Sequence, residues 1–126
     1  MKALILDDSP LKIAKISRSL QSCGITSVEY VTDQQSGMEK IKSSMETNQP
    51  FDLIVTDMHY PLEAGAFADE EAGFKLIERM KQEGIDIPVI ICSTRNYNMP
   101  GILGSVWYSK LRDIEEDFEV VLSRLE

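Results

Sequence analysis

The run Phe51-Asp52-Leu53-Ile54-Val55-Thr56-Asp57 constrains this chain more than any other stretch. It is apolar almost throughout and β-branched toward its end, the pattern of a strand buried on both faces of a parallel sheet. Such a strand does not normally finish on a charge, yet this one finishes on Asp57. In open α/β sheets the C-terminal edge of the strands is where ligands and chemistry gather, so Asp57 reads as a candidate reactive carboxylate. Taken alone it is no more than the turn-forming Asp that closes many strands.

Other stretches repeat the pattern. Ala3 to Leu6 is an apolar strand that stops at Asp7-Asp8. Ser9-Pro10 then supplies an N-cap residue and a proline at the first helical position. Ile13, Ile16 and Leu20 recur at helical spacing, and Gly24 ends that helix. Val28 to Val31 is a second strand, and Asp33 caps a helix with Met38, Ile41 and Met45 on one face. After Asp57 an irregular small and acidic stretch runs through Asp69, followed by a helix with Phe74, Ile77 and Met80 that Gly84 stops. Pro88 to Cys92 is a fourth strand ending at Ser93-Thr94, and Val106 to Ser109 a fifth ending at Lys110. Arg95 to Gly101 between them is loop with at most a turn of helix. Ile114, Phe118, Val121, Leu122 and Leu125 mark a final amphipathic helix. Strands alternating with helices predict βαβ units and a parallel sheet covered on both faces. Right-handed crossovers bring every strand C-terminus to one edge, where Asp7, Asp8, Asp57, Ser93 and Lys110 converge.

Length and charge narrow what that edge serves. A chain of 126 residues is one ordinary domain, 1–126, with no room for a separate output domain. With 13 basic and 21 acidic residues the net charge is −8, which argues against binding nucleic acid or anionic membranes and favours a divalent cation or a basic protein surface. The N-terminal apolar run is too short for a signal peptide, and no stretch approaches a membrane span. Cys23 and Cys92 lack metal-ligand spacing and read as reduced thiols of a cytoplasmic protein, ahead of a disulfide.

Three clustered carboxylates repel one another and raise at least one pKa unless a cation is present. Mg²⁺ is the natural counterion, a hard ion bound through one or two carboxylates plus phosphate oxygens. Together Mg²⁺ and Lys110 balance Asp7, Asp8 and Asp57, and a site balanced in this way can accept a phosphoryl group. An Asp carboxylate is a competent nucleophile for forming an aspartyl phosphate, and Ser93 is placed to hydrogen-bond a phosphoryl oxygen. Each residue also has a plainer reading: a capping cluster for Asp7-Asp8-Ser9, a solvated charge for Lys110, a turn residue for Ser93. Their joint occurrence on successive strand ends favours the functional one.

Leu6-Asp7-Asp8-Ser9, Val55-Thr56-Asp57-Met58 with Pro61 beyond, Pro88 to Ser93, and Lys110 resemble, in order and over nearly the whole chain, the receiver domains of bacterial two-component response regulators. The resemblance implies a flavodoxin-like, doubly wound five-stranded parallel sheet of order 2-1-3-4-5. It implies that Asp57 is the phosphoacceptor and Lys110 the phosphate-contacting lysine. Asp8 would be a direct Mg²⁺ ligand and Asp7 a ligand through water, with Asp57 and the backbone carbonyl of His59 completing the site. Ser93 and Trp107 take the switch positions, and His59 and Arg95 the positions that tune phosphoryl lifetime. The donor would be a histidine kinase or phosphotransfer protein, and the output a protein target in trans from a monomeric receiver. Such a domain is no enzyme beyond its own phosphorylation and dephosphorylation.

Four departures stand out. Leu111 replaces the proline usual after the lysine, and a cis bond before a non-proline residue costs about 3 kcal/mol or more, so the loop should differ or carry strain. Leu62 to Ala72 is an insertion, adding Glu63, Asp69, Glu70 and Glu71 near the site. The interval from Ser93 to Lys110 is short, so the fourth helix of the family should be cut down or missing. Thr94 stands where a very small residue is usual. Two other functions compete: a receiver-fold interaction module that does not cycle phosphate, and a Mg²⁺-dependent phosphatase with an Asp nucleophile. Such phosphatases need a second acid two residues after the nucleophile, where this chain has His59. No glycine-rich phosphate loop supports nucleotide binding.

Overall fold

Every apolar run singled out in the sequence becomes a strand, and all of these strands point the same way. The structure is a computed structural model and describes residues 1–125. Strands β1 (Lys2–Leu6), β2 (Ser27–Val31) and β3 (Leu53–Thr56) lie toward the N-terminal side of the sheet, and β6 (Val89–Ser93) and β7 (Gly104–Trp107) complete it. The order is β2-β1-β3-β6-β7 with every pairing parallel. Counting these five strands alone, that is the expected 2-1-3-4-5. A separate antiparallel ribbon joins β4 (Tyr60–Pro61) to β5 (Ala68–Asp69).

Helices cover both faces. α1 (Pro10–Ser22) and α4 (Glu115–Leu122) pack Ile13, Ile16, Leu20, Ile114, Phe118 and Val121 onto the inward side chains Ala3, Ile5, Val55 and Ile90. α2 (Gln34–Glu46) and α3 (Ala72–Gln82) pack Met38, Ile41, Leu76 and Met80 onto Leu4, Leu6 and Ile54. Alternate residues of β1 and β3 therefore face opposite cores, as the pleat requires. Ser9 and Asp33 cap α1 and α2 as expected, accepting from the Lys12 N–H at 3.4 Å and the Ser36 N–H at 2.8 Å. From Thr94 to Leu103 the chain makes bends and turns with no regular helix, so the family's fourth helix is missing among the described residues.

Several details differ from the sequence pattern. The buried face of α3 runs through Ala72, Gly73, Leu76 and Met80, which leaves Phe74 exposed and Ile77 half-buried. The backbone at Gly73 approaches Met58 so closely that this face, not the more apolar one, turns inward. Met45 is exposed rather than core. β7 begins and ends two residues earlier than the pattern suggested, closing at Trp107, so Lys110 lies three residues past the strand.

The insertion is ordered. Its ribbon is clamped where Leu62 O accepts the Gln35 N–H at 2.9 Å, and Ala72 proves to be the buried first residue of α3. The two thiols are free. Cys92 is buried in the sheet, and burial pushes its pKa up to about 12; Cys23 is partly accessible at the end of α1. A thiol reagent at mildly alkaline pH should therefore label one cysteine in the native protein, Cys23, and both in denaturant, as counted by intact mass. Labelling of Cys92 in the native state would contradict this packing.

Candidate functional site

The C-terminal ends of β1 and β3 lie side by side in register, Leu6 opposite Thr56. The residues that follow are therefore neighbours. Asp7 is held by its N–H on Val31 O at 3.2 Å and Asp57 by its N–H on Leu6 O at 2.9 Å. One oxygen from each of Asp7, Asp8 and Asp57 lies within 4.8 Å of the others. Asp7 is buried, Asp8 is exposed and Asp57 stands between, its side chain 14% exposed. Asp57 Oδ1 accepts the Met58 N–H at 2.7 Å, while Oδ2 accepts no hydrogen bond among the described residues.

A fourth charged group, not anticipated from the sequence, occupies the cluster. Lys12, in the first turn of α1, brings its ammonium to 2.9 Å from Asp7 Oδ2 and 3.0 Å from Asp57 Oδ1 and donates to Cys92 O at 2.6 Å. Its side chain is only 5% exposed. The signal was present: Lys12 shares a helical face with Ile16, four residues on, and a buried lysine requires carboxylate partners. Burial by itself pulls the Lys12 pKa down, but Asp7 and Asp57 outweigh it and hold the ammonium more firmly protonated than usual. Burial raises the Asp7 pKa above its ordinary value, with Asp57 adding to the rise and Lys12 opposing it.

The donor set suits Mg²⁺. Three carboxylates against one ammonium leave a formal excess of two negative charges, which a divalent ion matches. Asp7 Oδ2, although beside the ammonium, is a buried oxygen to which no group donates with hydrogen-bond geometry. Ligand oxygens 4.8 Å apart at most need only a small adjustment toward the roughly 4 Å span of oxygens placed about 2.1 Å from a shared ion.

Not every expected residue joins them. Ser93 ends β6, buried, directly after the carbonyl that Lys12 holds. Trp107 pairs with Ser93 in register but is 44% exposed, its indole N–H on Thr94 O at 2.9 Å and the Arg112 guanidinium over its ring. His59, Thr94 and Arg95 are exposed. Lys110 is exposed and forms no ion pair among the described residues, so Asp57 meets Lys12 and not Lys110. Every described peptide bond is trans, including that before Leu111. The inserted acids do not enter the carboxylate cluster: Asp69 pairs with Lys75 at 2.6 Å and accepts the Glu71 N–H at 2.8 Å.

Beneath the site a buried polar chain links it to the insertion. The Thr56 hydroxyl donates to Asp57 O at 2.8 Å and lies 3.0 Å from the Tyr60 hydroxyl. Gln34 Nε2 donates both to Tyr60 Oη at 3.2 Å and to Ala72 O at 2.7 Å. Gly73 closes the other side, donating its N–H to Met58 O at 3.2 Å, and a Cβ there would stand 2.8 Å from Asp57 O.

Comparison with known proteins agrees with this picture. The family model for the response regulator receiver domain matches residues 3–99. The two-component response regulators ORR22 and ORR21 of rice (Oryza sativa) are each 30% identical over 93 residues, 74% of this chain but 12% of the relative. The match thus spans about an eighth of the length of those relatives. Among solved structures, the response regulator TrrA of Thermotoga maritima, in complex with Mg²⁺-BeF, superposes with a TM-score of 0.73 at 18% identity over all of both chains. The chemotaxis response regulator CheY4 of Vibrio cholerae gives 0.70 at 23% identity over 99% of this chain and 98% of that one. These two likenesses show the fold.

Two measurements follow. Added Mg²⁺ should raise the thermal midpoint, by the equivalent of about 2.7 kcal/mol at a hundredfold excess over the dissociation constant, and Asp8→Asn should lose most of that rise. Gly73→Ala should destabilise by roughly 1–3 kcal/mol in urea, because the backbone beside Asp57 must shift to admit a methyl group.

Proposed function

Because the chain belongs to the response regulator receiver domain family, we propose that it accepts a phosphoryl group on Asp57 and passes the signal to a protein partner. The observation that carries this reading is the state of Asp57. One carboxylate oxygen is pinned by the Met58 N–H and the Lys12 ammonium. The other accepts no hydrogen bond among the described residues, at a partly open strand end beside two more carboxylates.

The donor would be a phosphohistidine on a histidine kinase or phosphotransfer protein. Asp57 Oδ2 attacks phosphorus, the P–N bond breaks, and the departing imidazole nitrogen keeps the electron pair and takes up a proton. The product is an acyl phosphate on Asp57; attack of water on phosphorus returns the carboxylate and releases inorganic phosphate. Asp7, Asp8, Asp57 and the carbonyl of His59 would hold Mg²⁺, which supplies positive charge to the phosphoryl oxygens. His59 and Arg95, both exposed, would set how readily water reaches the phosphoryl group.

Phosphorylation adds negative charge and oxygen acceptors within reach of β6. Ser93 responds as the hydroxyl at that strand end, and the Trp107 indole reports the change, because it is bonded to the carbonyl of the residue after Ser93.

Incubation with Mg²⁺ and acetyl phosphate should add the mass of one phosphoryl group and alter Trp107 fluorescence. Asp57→Asn should abolish the mass gain while leaving the fold intact by circular dichroism. No mass gain with acetyl phosphate or any histidine kinase would reject the phosphoacceptor and favour a receiver-fold interaction module. Steady turnover of an unrelated phosphoester would favour a phosphatase.

A further inference from the structure

Lysine carries one positive charge on one nitrogen, and the Lys12 nitrogen has three oxygens around it: it donates to Cys92 O and stands at ion-pair distance from Asp7 Oδ2 and Asp57 Oδ1. The bond to Cys92 O fixes the ammonium against the strand that ends in Ser93. Its short lever, rooted in the first turn of a capped helix, holds the charge in place without a flexible loop.

The segment that carries Lys110 is tied elsewhere. The Tyr108 N–H donates to Ser93 O at 2.7 Å. The Lys15 ammonium, one turn beyond Lys12 on α1, donates to Ser109 O at 3.2 Å and also to Arg112 O. Arg112 donates to Trp107 O at 2.7 Å and pairs with Asp117 of α4. The chain leaving β7 is therefore fastened to α1 and α4 on both sides of Lys110, whose own side chain is exposed. Two lysines of one helix thus divide the work: Lys12 enters the carboxylate cluster and Lys15 caps the loop.

Building on the phosphoacceptor reading, we propose that Lys12, and not Lys110, is the lysine that orients Asp57 and contacts its phosphoryl group. Before transfer, Lys12 holds Asp57 Oδ1 and leaves Oδ2 to attack. After transfer, the ammonium stays on Asp7 and Cys92 O while one donor passes from the Asp57 carboxyl to a phosphoryl oxygen. That contact couples the phosphoryl group to β6, because Cys92 immediately precedes Ser93.

The test compares the wild type with Lys12→Met, Lys12→Arg and Lys110→Ala, each checked for folding by circular dichroism. One arm follows phosphorylation by acetyl phosphate with Mg²⁺ by intact mass; the other measures Mg²⁺ affinity by calorimetry with no phosphodonor. Losing a preorganised charge at the reacting group should slow phosphorylation of Lys12→Met by about a hundredfold, with Lys12→Arg in between and Lys110→Ala close to wild type. Removing a cation from the cluster should tighten Mg²⁺ binding by about tenfold in Lys12→Met, and Lys110→Ala should not change it. A slow Lys110→Ala beside an unimpaired Lys12→Met overturns the assignment. If Lys12→Met does not fold, Lys12→Arg takes its place: phosphorylation slower than in Lys110→Ala supports the assignment, and the reverse order overturns it. If the wild type takes no phosphoryl group, the phosphoacceptor reading fails by itself. Lys12 is then judged on Mg²⁺: tighter binding in Lys12→Met supports it as the cation of the site, and unchanged binding overturns it.

Discussion

The buried ion cluster of Lys12 with Asp7 and Asp57 is the interaction on which the arrangement at the sheet edge depends. Removing these charges from water is costly, and each is tolerated there only because the others are present. Asp7 and Asp57 without a cation would push apart the ends of β1 and β3, which hydrogen-bond as neighbours in the sheet. Lys12 without the carboxylates would be a desolvated ammonium. The cluster also joins α1 to the ends of three strands, since the same ammonium holds the end of β6 through Cys92 O. Because the charges do not cancel, the site retains a negative excess and keeps its appetite for a divalent ion.

Around that cluster the departures from the family pattern have a common consequence. The insertion after Asp57 folds as a small ribbon pinned by Gln34, Gln35 and Tyr60. It is thereby connected through Thr56 to the backbone of Asp57 itself. On the other side, the stretch after Ser93 lacks a helix and is linked to Trp107 through Thr94 O. Both segments that differ from the usual receiver outline thus touch the strand that ends at Asp57, or its neighbour, directly. The tip of the insertion carries Phe67, 99% exposed, so the altered surface lies outside the site while its anchors lie beneath it.

Much of this was legible in the chain, for stated physical reasons. Strands buried on both faces leave continuous apolar runs, so β1, β3 and β6 were visible, and capping chemistry marked α1 and α2 at Ser9 and Asp33. The acidic cluster was legible because topology alone brings the ends of β1 and β3 together. The rotation of α3 was not, since Phe74 and Ile77 outrank Ala72 and Gly73 in hydrophobicity. Only the close approach of the Gly73 backbone to Asp57 and Met58 selects the smaller face. The exposed position of Lys110 was not legible for a related reason: a motif position specifies an order along the chain, not where a loop is tied.

The sequence by itself determined the class of fold, the edge at which chemistry collects and the identity of Asp57, Asp7 and Asp8, because period-two and helical patterns with right-handed crossovers admit few topologies. Tertiary structure decided which cation meets Asp57. That choice rests on long-range geometry, the reach of a side chain from the first turn of α1 against a loop fastened by Lys15 and Arg112, and no local pattern in the chain encodes the distance between them.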